Sequence, residues 1–474
     1  MKKTKLFKVL SSFSSVEMNR LKKFAHSPYF NKNKAIQLII KYLDDVLRED
    51  LYKDNELSKQ LVWSHIKNNQ NFDDRQFRKI CSDSLKLVEK WLIQEEFEDD
   101  PFYQANFLLD SIYEKNLLNL KKGAIRSVDV LFNRRIMRNG EYFFQKYRQE
   151  RSYYNLFDYE KNRYADSNLD QIDLNLDVFY FSEKMRNACT SLSRQDFTDQ
   201  KSNLILIDDL CDKVEELEYL KYPPIKAYFS IYKMNREFED EKHFFNLKKW
   251  LDSNIQFFPQ FEAYEIYQAA ATYCINKTNL GNFNFFELSL DLYKRGLEHD
   301  IFLINNKILS WDFKNIAFTA IRLKEFKWTT NFINFYSNYL EDEEKDNIIT
   351  YLRALIAFYQ NKFDEVVYLL QNVEYSDLTY SMNSKAMLVG AYYELDEVEV
   401  LSSFISSFRT FLNRKKIISK TRKLLYINFL NFTRKLMSSR VAEKSKILKL
   451  QLQIQNEKNV ASKQWLLDKV EEMI

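Results

Sequence analysis

The chain has 474 residues, 45% hydrophobic and 29% charged, with a net charge of +4, so burial can offset the entropy of ordering and the composition argues against disorder. It holds only 5 Gly and 5 Pro, where average usage gives roughly 30 and about 24; sheets with tight hairpins and Gly-built phosphate loops are excluded in favour of helices. The charge is uneven: residues 1–48 carry 11 Lys and Arg against 3 Asp and Glu, residues 409–449 carry 13 against 1, and the remainder holds −16, a polarity able to guide association.

Met1 to Leu10 combines lysines with Leu6, Phe7 and Leu10. Lys8 interrupts the apolar stretch and no small-residue cleavage site follows, so it reads as a tail or first helix rather than a signal or a membrane-surface segment. Ser14-Ser-Val-Glu17 has capping-box spacing and opens a helix to about Phe24, with Ser27-Pro-Tyr-Phe-Asn-Lys-Asn33 as the connection to the next. Over residues 34–47, Ile36, Ile39, Ile40, Leu43 and Leu47 share one helical face. Leu57 to Ile66 is a short helix. Asp73 then caps a long one whose buried stripe is Phe77, Ile80, Cys81, Leu85, Val88, Trp91 and Leu92. The acidic Glu95 to Pro101 segment closes an N-terminal helical module, residues 1–100.

Residues 102–440 read as a succession of helices, at 104–119, 123–137 and 141–165, then Leu174 to Leu192 with Leu176, Phe179, Tyr180 and Met185 inward. Pro223-Pro224 marks a hinge or a helix start. A last helix over 441–474 caps the series. No apolar run reaches the ~18 residues of a membrane helix. Cys81, Cys189, Cys211 and Cys274 never form a C-x-x-C pair, which fits a reducing cytoplasm.

Residues 310–412 carry a repeat. Three times a helix with a small residue is followed by a short turn and a bulky residue opening a second helix. The small positions are Ala317, Ala354 and Gly390, and the post-turn positions Phe326, Phe363 and Val398. A small side chain lets the next helix approach and a bulky one fills its groove, so each unit buries its face on its neighbour.

In Leu355-Ile-Ala-Phe-Tyr-Gln-Asn-Lys-Phe-Asp-Glu-Val-Val-Tyr-Leu-Leu370 and Leu388-Val-Gly-Ala-Tyr-Tyr-Glu-Leu395 the chain resembles the tetratricopeptide (TPR) family. The resemblance implies an all-α fold, an α-solenoid of stacked antiparallel helix pairs. Lys324, Asn361 and Asp396 replace the family's turn Gly; Thr329, Val366 and Leu401 replace its second-helix Ala. Ser27 to Asn33, Cys81 to Leu92 and Trp465 to Glu472 also resemble an uncharacterised bacterial helical family, which implies no activity.

Enzyme signatures are sparse. There is no G-x-G-x-x-G, no phosphate-loop motif, no H-E-x-x-H and no G-x-S-x-G. His26, His65, His243 and His299 lie far apart and read as loop, cap or surface residues, and the cysteines as small core hydrophobes. Acidic pairs such as Asp44-Asp45, Asp208-Asp209 and Glu215-Glu216 read as solvated helix faces. No cofactor or metal is expected. Arg414, Lys415, Lys416, Lys420, Arg422 and Lys423, followed by Arg434, Lys435 and Arg440, accompany Phe408, Phe411, Tyr426, Phe429 and Phe432. That is the residue mix of a nucleic-acid surface, and equally of a repeat core with a solvated cationic exterior. The leading expectation is a cytoplasmic protein-binding scaffold. A nucleic-acid binder using the C-terminal cations is second, and an enzyme with a site assembled from distant helices third.

Overall fold

The computed structural model describes all residues except 49–56, 68–69, 158–163, 196–203, 372–377, 416 and 440–442, and omits the side chains of 195, 342–344 and 379. Among the described residues there are 23 α-helices and one two-stranded hairpin; the fold is all-α. No helix there is long and apolar enough to cross a membrane. The chain divides into two compact units, Met1–Tyr180 and Phe181–Ile474.

The first unit contains α1 (Lys5–Leu10), α2 (Ser15–His26), α3 (Lys34–Arg48), α4 (Lys59–Lys67), α5 (Asp74–Asp99), α6 (Pro101–Glu114), α7 (Leu118–Arg134) and α8 (Gly140–Leu156). Side chains set most of its helix starts. Ser14 and Glu17 form a reciprocal capping box on α2, and oxygens of Thr4, Asn33, Ser58 and Asp73 accept from first-turn amides of α1, α3, α4 and α5. Asp100 ends α5 and caps α6, with Pro101 as its first residue. One core cluster joins residues 6–91 and a second joins 109–156. Leu6, Phe7 and Leu10 lie in the first cluster, so α1 is a core helix. The α5 stripe runs through Phe77, Ile80, Ser84, Leu87, Val88 and Trp91; Cys81 and Leu85 are half-buried, and Leu92 is 44% exposed.

Asp44 corrects one expectation. It is buried, held by Lys22 and by Arg48 at 2.8 Å. Burial pushes its pKa up, but hydrogen bonds from Arg48 and Lys22, with their charges, leave the carboxyl below its ordinary range.

The division falls within α9 (Leu169–Gln195). Of the residues expected inward, Met185 is buried and Phe179 half-buried, but Leu176 and Tyr180 are exposed; the buried stripe runs through Ile172, Asn175, Val178, Ser182 and Met185. The second unit continues with α10 (Ile207–Glu216), α11 (Pro223–Arg236), α12 (Lys242–Asn254), α13 (Gln260–Asn279) and α14 (Phe285–Glu298). Pro223 and Pro224 begin α11, a helix start. The hairpin is β1 (Leu303–Ile304) with β2 (Lys307–Ile308). Sparse glycine did not prevent it, because Asn305 and Asn306 both take positive φ, 51° and 58°, as Asn tolerates.

Three helix pairs follow: α15 (Ser310–Arg322) with α16 (Phe326–Tyr336), α17 (Asp342–Tyr359) with α18 (Phe363–Leu370), and α19 (Leu378–Glu394) with α20 (Val398–Arg414). Phe326, Phe363 and Val398 are each the first residue of a second helix. Lys324, Asn361 and Asp396 all have left-handed backbones, with φ of 61°, 60° and 57°. Each turn closes with one pair of bonds: the left-handed residue's N–H donates three residues back, and the next N–H five residues back. This is the Schellman motif that ordinarily selects glycine.

First helices pack on one another, α15 on α17 and α17 on α19, as well as on their own partners. Ala317 and Ala354 are fully buried. At Gly390 a Cβ would lie 2.8 Å from the Phe358 ring of α17, so the small position admits the preceding unit's aromatic. The chain then runs through α21 (Lys420–Ser439), α22 (Lys444–Asn456) and α23 (Lys463–Glu471): two terminal helices in place of one. Trp465 and Lys469 of α23 both reach Glu394 of α19, at 2.9 and 3.1 Å.

Candidate functional site

The C-terminal cations sit where α20 gives way to α21. Arg414 ends α20 and Lys415 caps it, where the negative end of the helix dipole favours them; Ile417 is 81% exposed beside them. Arg414, Lys415, Lys420 and Arg422 are exposed and Lys423 is half-buried; Lys416 and Arg440 lie outside the described residues. Arg434 donates to Ser406, and Lys435 to Gln453. The aromatics have a different fate. Phe408, Tyr426, Phe429 and Phe432 are buried in the core cluster of α19 to α23, and Phe411 is half-buried with the Lys385 and Lys415 ammoniums 5.2 and 5.9 Å from its ring centre. Arg414, Lys415, Lys420 and Arg422 are exposed to solvent, whereas the four buried rings are not available for base stacking.

A second surface carries uncovered rings. A groove of about 310 Å³ lies between α14 and α16. Lys294, Leu297 and Glu298 line one wall; Trp328, Phe332, Phe335 and Tyr336 dominate the other. Trp328 stacks on Phe332 at 5.4 Å and 11°, and Phe332 packs on Tyr336 at 5.1 Å. Phe332 belongs to the core, but Phe335 is 58% exposed and Trp328 and Tyr336 are half-exposed. The Lys294 ammonium lies 5.0 Å from the Trp328 ring centre, a cation–π contact.

Chemistry-bearing groups converge at two further places that sequence spacing did not reveal. Between α11 and α12, Glu237, Asp240 and His243 bring one ligand atom each within 4.8 Å of one another. His243 Nε2 is 2.7 Å from Glu237, while Lys233 pairs with Glu237 at 3.0 Å and Lys242 with Asp240 at 2.5 Å. Hydrogen bonds from Lys233 and His243 hold Glu237 below its ordinary range, and one from Lys242 does so for Asp240. The donor set suits a divalent cation, but lysines already neutralise both carboxylates. The signal was the three-residue step Glu237, Asp240, His243 across a helix break.

The other place is α13. Asp312, in the first turn of α15, is fully buried and accepts from Tyr264 at 2.9 Å and from Gln268, with no ion pair among the described residues. Burial pushes its carboxyl above the usual range, partly offset by those two bonds. One turn away, buried Glu262 accepts from Tyr228 at 2.7 Å and Glu265 pairs with Arg186 at 2.7 Å. These polar groups bind one another and tie α13 to its neighbours.

The remaining histidines and the cysteines show no such convergence. His26 and His65 approach carbonyls of their own helices, and His299 ends α14. Burial raises all four thiols, Cys81 and Cys211 to about 11 and the other two further, which leaves none as a neutral-pH thiolate. The chain matches no known protein-family model, no curated protein and no solved structure.

Proposed function

We propose that this chain is a cytoplasmic interaction scaffold, an α-solenoid of degenerate TPR-like helix pairs that binds a protein segment and does not catalyse. The reading rests above all on one observation: Lys324, Asn361 and Asp396 terminate three successive first helices in the same left-handed turn. Small residues follow the same period, and first helices pack on first helices. Such a series leaves repeated inter-helix grooves along its length, the surfaces helical arrays use for partners. The four thiols are held protonated by burial, and lysines neutralise Glu237 and Asp240.

The test is capture by the immobilised full chain at about 0.15 M salt. The scaffold reading expects a saturable protein partner. Absence of any saturable partner contradicts it.

The exposure of Arg414, Lys415, Lys420 and Arg422 supports a second reading, nucleic-acid binding through phosphates alone. It expects sequence-independent affinity that falls steeply with salt and is lost when these cations are reversed in sign. No gel shift at low salt removes it.

A further inference from the structure

The α14–α16 groove has a feature that core packing does not require. For α16 to dock, Thr329, Phe332 and Ile333 must be buried, and they are. Phe335 nevertheless stands exposed, with Trp328 and Tyr336 half-exposed beside it and Tyr339 half-buried in the turn that follows; Phe335 is 4.9 Å from Tyr336 and Tyr336 6.0 Å from Tyr339. A helix face meant only for water would carry polar residues there.

Two observations indicate which ligand chemistry these rings suit. One ring face already holds an ammonium, that of Lys294 over Trp328. At the other end of the groove the lining carboxylate is Glu298, which is exposed and makes no ion pair among the described residues; Asp300, also exposed, follows two residues later in the turn that ends α14. Glu298 and Tyr336 line the same groove; burial raises the Tyr336 phenol, and the nearby carboxylate charges act in the same direction. The Tyr336 end is therefore aromatic, partly desolvated and negative, a combination that favours a cation with an apolar stem. Phosphate and acidic peptides meet repulsion there. From Trp328 to Tyr336 is eight residues of helix, about 12 Å, the span of about four residues of extended chain.

We propose that the α14–α16 groove docks an extended protein segment bearing an arginine or lysine, with an apolar side chain against the half-exposed Trp328 and the cation over Phe335 and Tyr336, opposite Glu298. Arginine is the better fit, since its planar guanidinium stacks on rings while donating to carboxylates. This deepens the scaffold reading and rests on it for the class of ligand.

The test uses the full-length protein to select from a displayed library of random 12-residue peptides. Enriched peptides should pair an arginine or lysine with apolar neighbours. Phe335→Ala should weaken their binding at least tenfold with an unchanged thermal midpoint, because the ring is largely exposed. Glu298→Lys combined with Asp300→Asn, the latter chosen because Asp300 has φ of 54°, should shift enrichment toward acidic peptides. No enrichment, enrichment without a basic residue, or binding indifferent to Phe335→Ala overturns the proposal. Saturable protein capture that survives Phe335→Ala leaves the scaffold reading standing while this groove fails. Peptide selection without any captured protein does the reverse.

Discussion

The two units share the left-handed helix closure, which Asn116 makes at the end of α6, but they differ in how often they use it and in how their helices start. In Met1–Tyr180 the polar side chains of Thr4, Ser14, Asn33, Ser58, Asp73, Asp100 and Asn139 cap seven helix starts, and Asn116 is the one non-glycine residue with positive φ among the described residues. In Phe181–Ile474 the N-cap side chains of α10 to α18, α20, α22 and α23 make no capping bond, although Asp240 accepts from the first amide of α12 and Ser419 caps α21. Instead Gly281, Asp300, Lys324, Asn361 and Asp396 close helix ends in left-handed turns. Side-chain caps fix where a helix starts and leave the next helix to be placed by packing. A left-handed closure also fixes the direction in which the chain leaves, so repeating it repeats the geometry of the pair. The first strategy places helices one at a time, the second repeats a pair.

The largest expected effect is on the series. Gly390→Val places atoms where the Phe358 ring lies and should cost about 3 kcal/mol, the upper end of ordinary overpacking, read by urea denaturation and by faster hydrogen exchange in α17 and α19. Gly296→Ala, whose new methyl would overlap the Phe302 ring, should cost about 2 kcal/mol by the same mechanism. Either variant behaving as wild type would break the close-packing half of the comparison.

Asp312 sharpens it through pH. Its folded pKa is raised, so the folded state keeps a proton that the unfolded chain releases. Stability is therefore lost as pH rises from the unfolded value through the folded one, and the loss persists at neutrality. Asp312→Asn should raise the thermal midpoint more at pH 7 than at pH 4. An equal shift at both would show that the charge carries no penalty. In the first unit, Ser14→Ala removes one half of a capping box and should cost about 1 kcal/mol, while Glu341→Ala at the uncapped start of α17 should change stability by less than about 0.5 kcal/mol.

Much of this punctuation was legible. Ser14 and Asp73 carry the cap pattern in their residue types, and Phe326, Phe363 and Val398 mark three helix starts because a bulky residue after a small one repeats at nearly constant spacing. The left-handed turns were legible only as departures, since Lys324, Asn361 and Asp396 stand where glycine is usual and nothing in a lysine announces positive φ. Asp44 looked solvated because Lys22, which helps to bury its charge, lies on another helix. The aromatic groove was hidden for a related reason. Periodicity identifies apolar positions on α16 but not which of them α14 and α15 leave uncovered, so Trp328 and Phe335 read the same as Phe332.

The central claim is that three left-handed closures generate the repeating pairs, and the triple variant Lys324→Gly, Asn361→Gly and Asp396→Gly tests it most directly. Glycine relieves the Cβ strain of the left-handed conformation but gains entropy when unfolded. The net expected is a gain of about 2 kcal/mol in urea denaturation, with Lys324→Gly contributing most because Asn and Asp tolerate the conformation best. A loss of stability would mean that these residues are not left-handed in solution and would contradict the account.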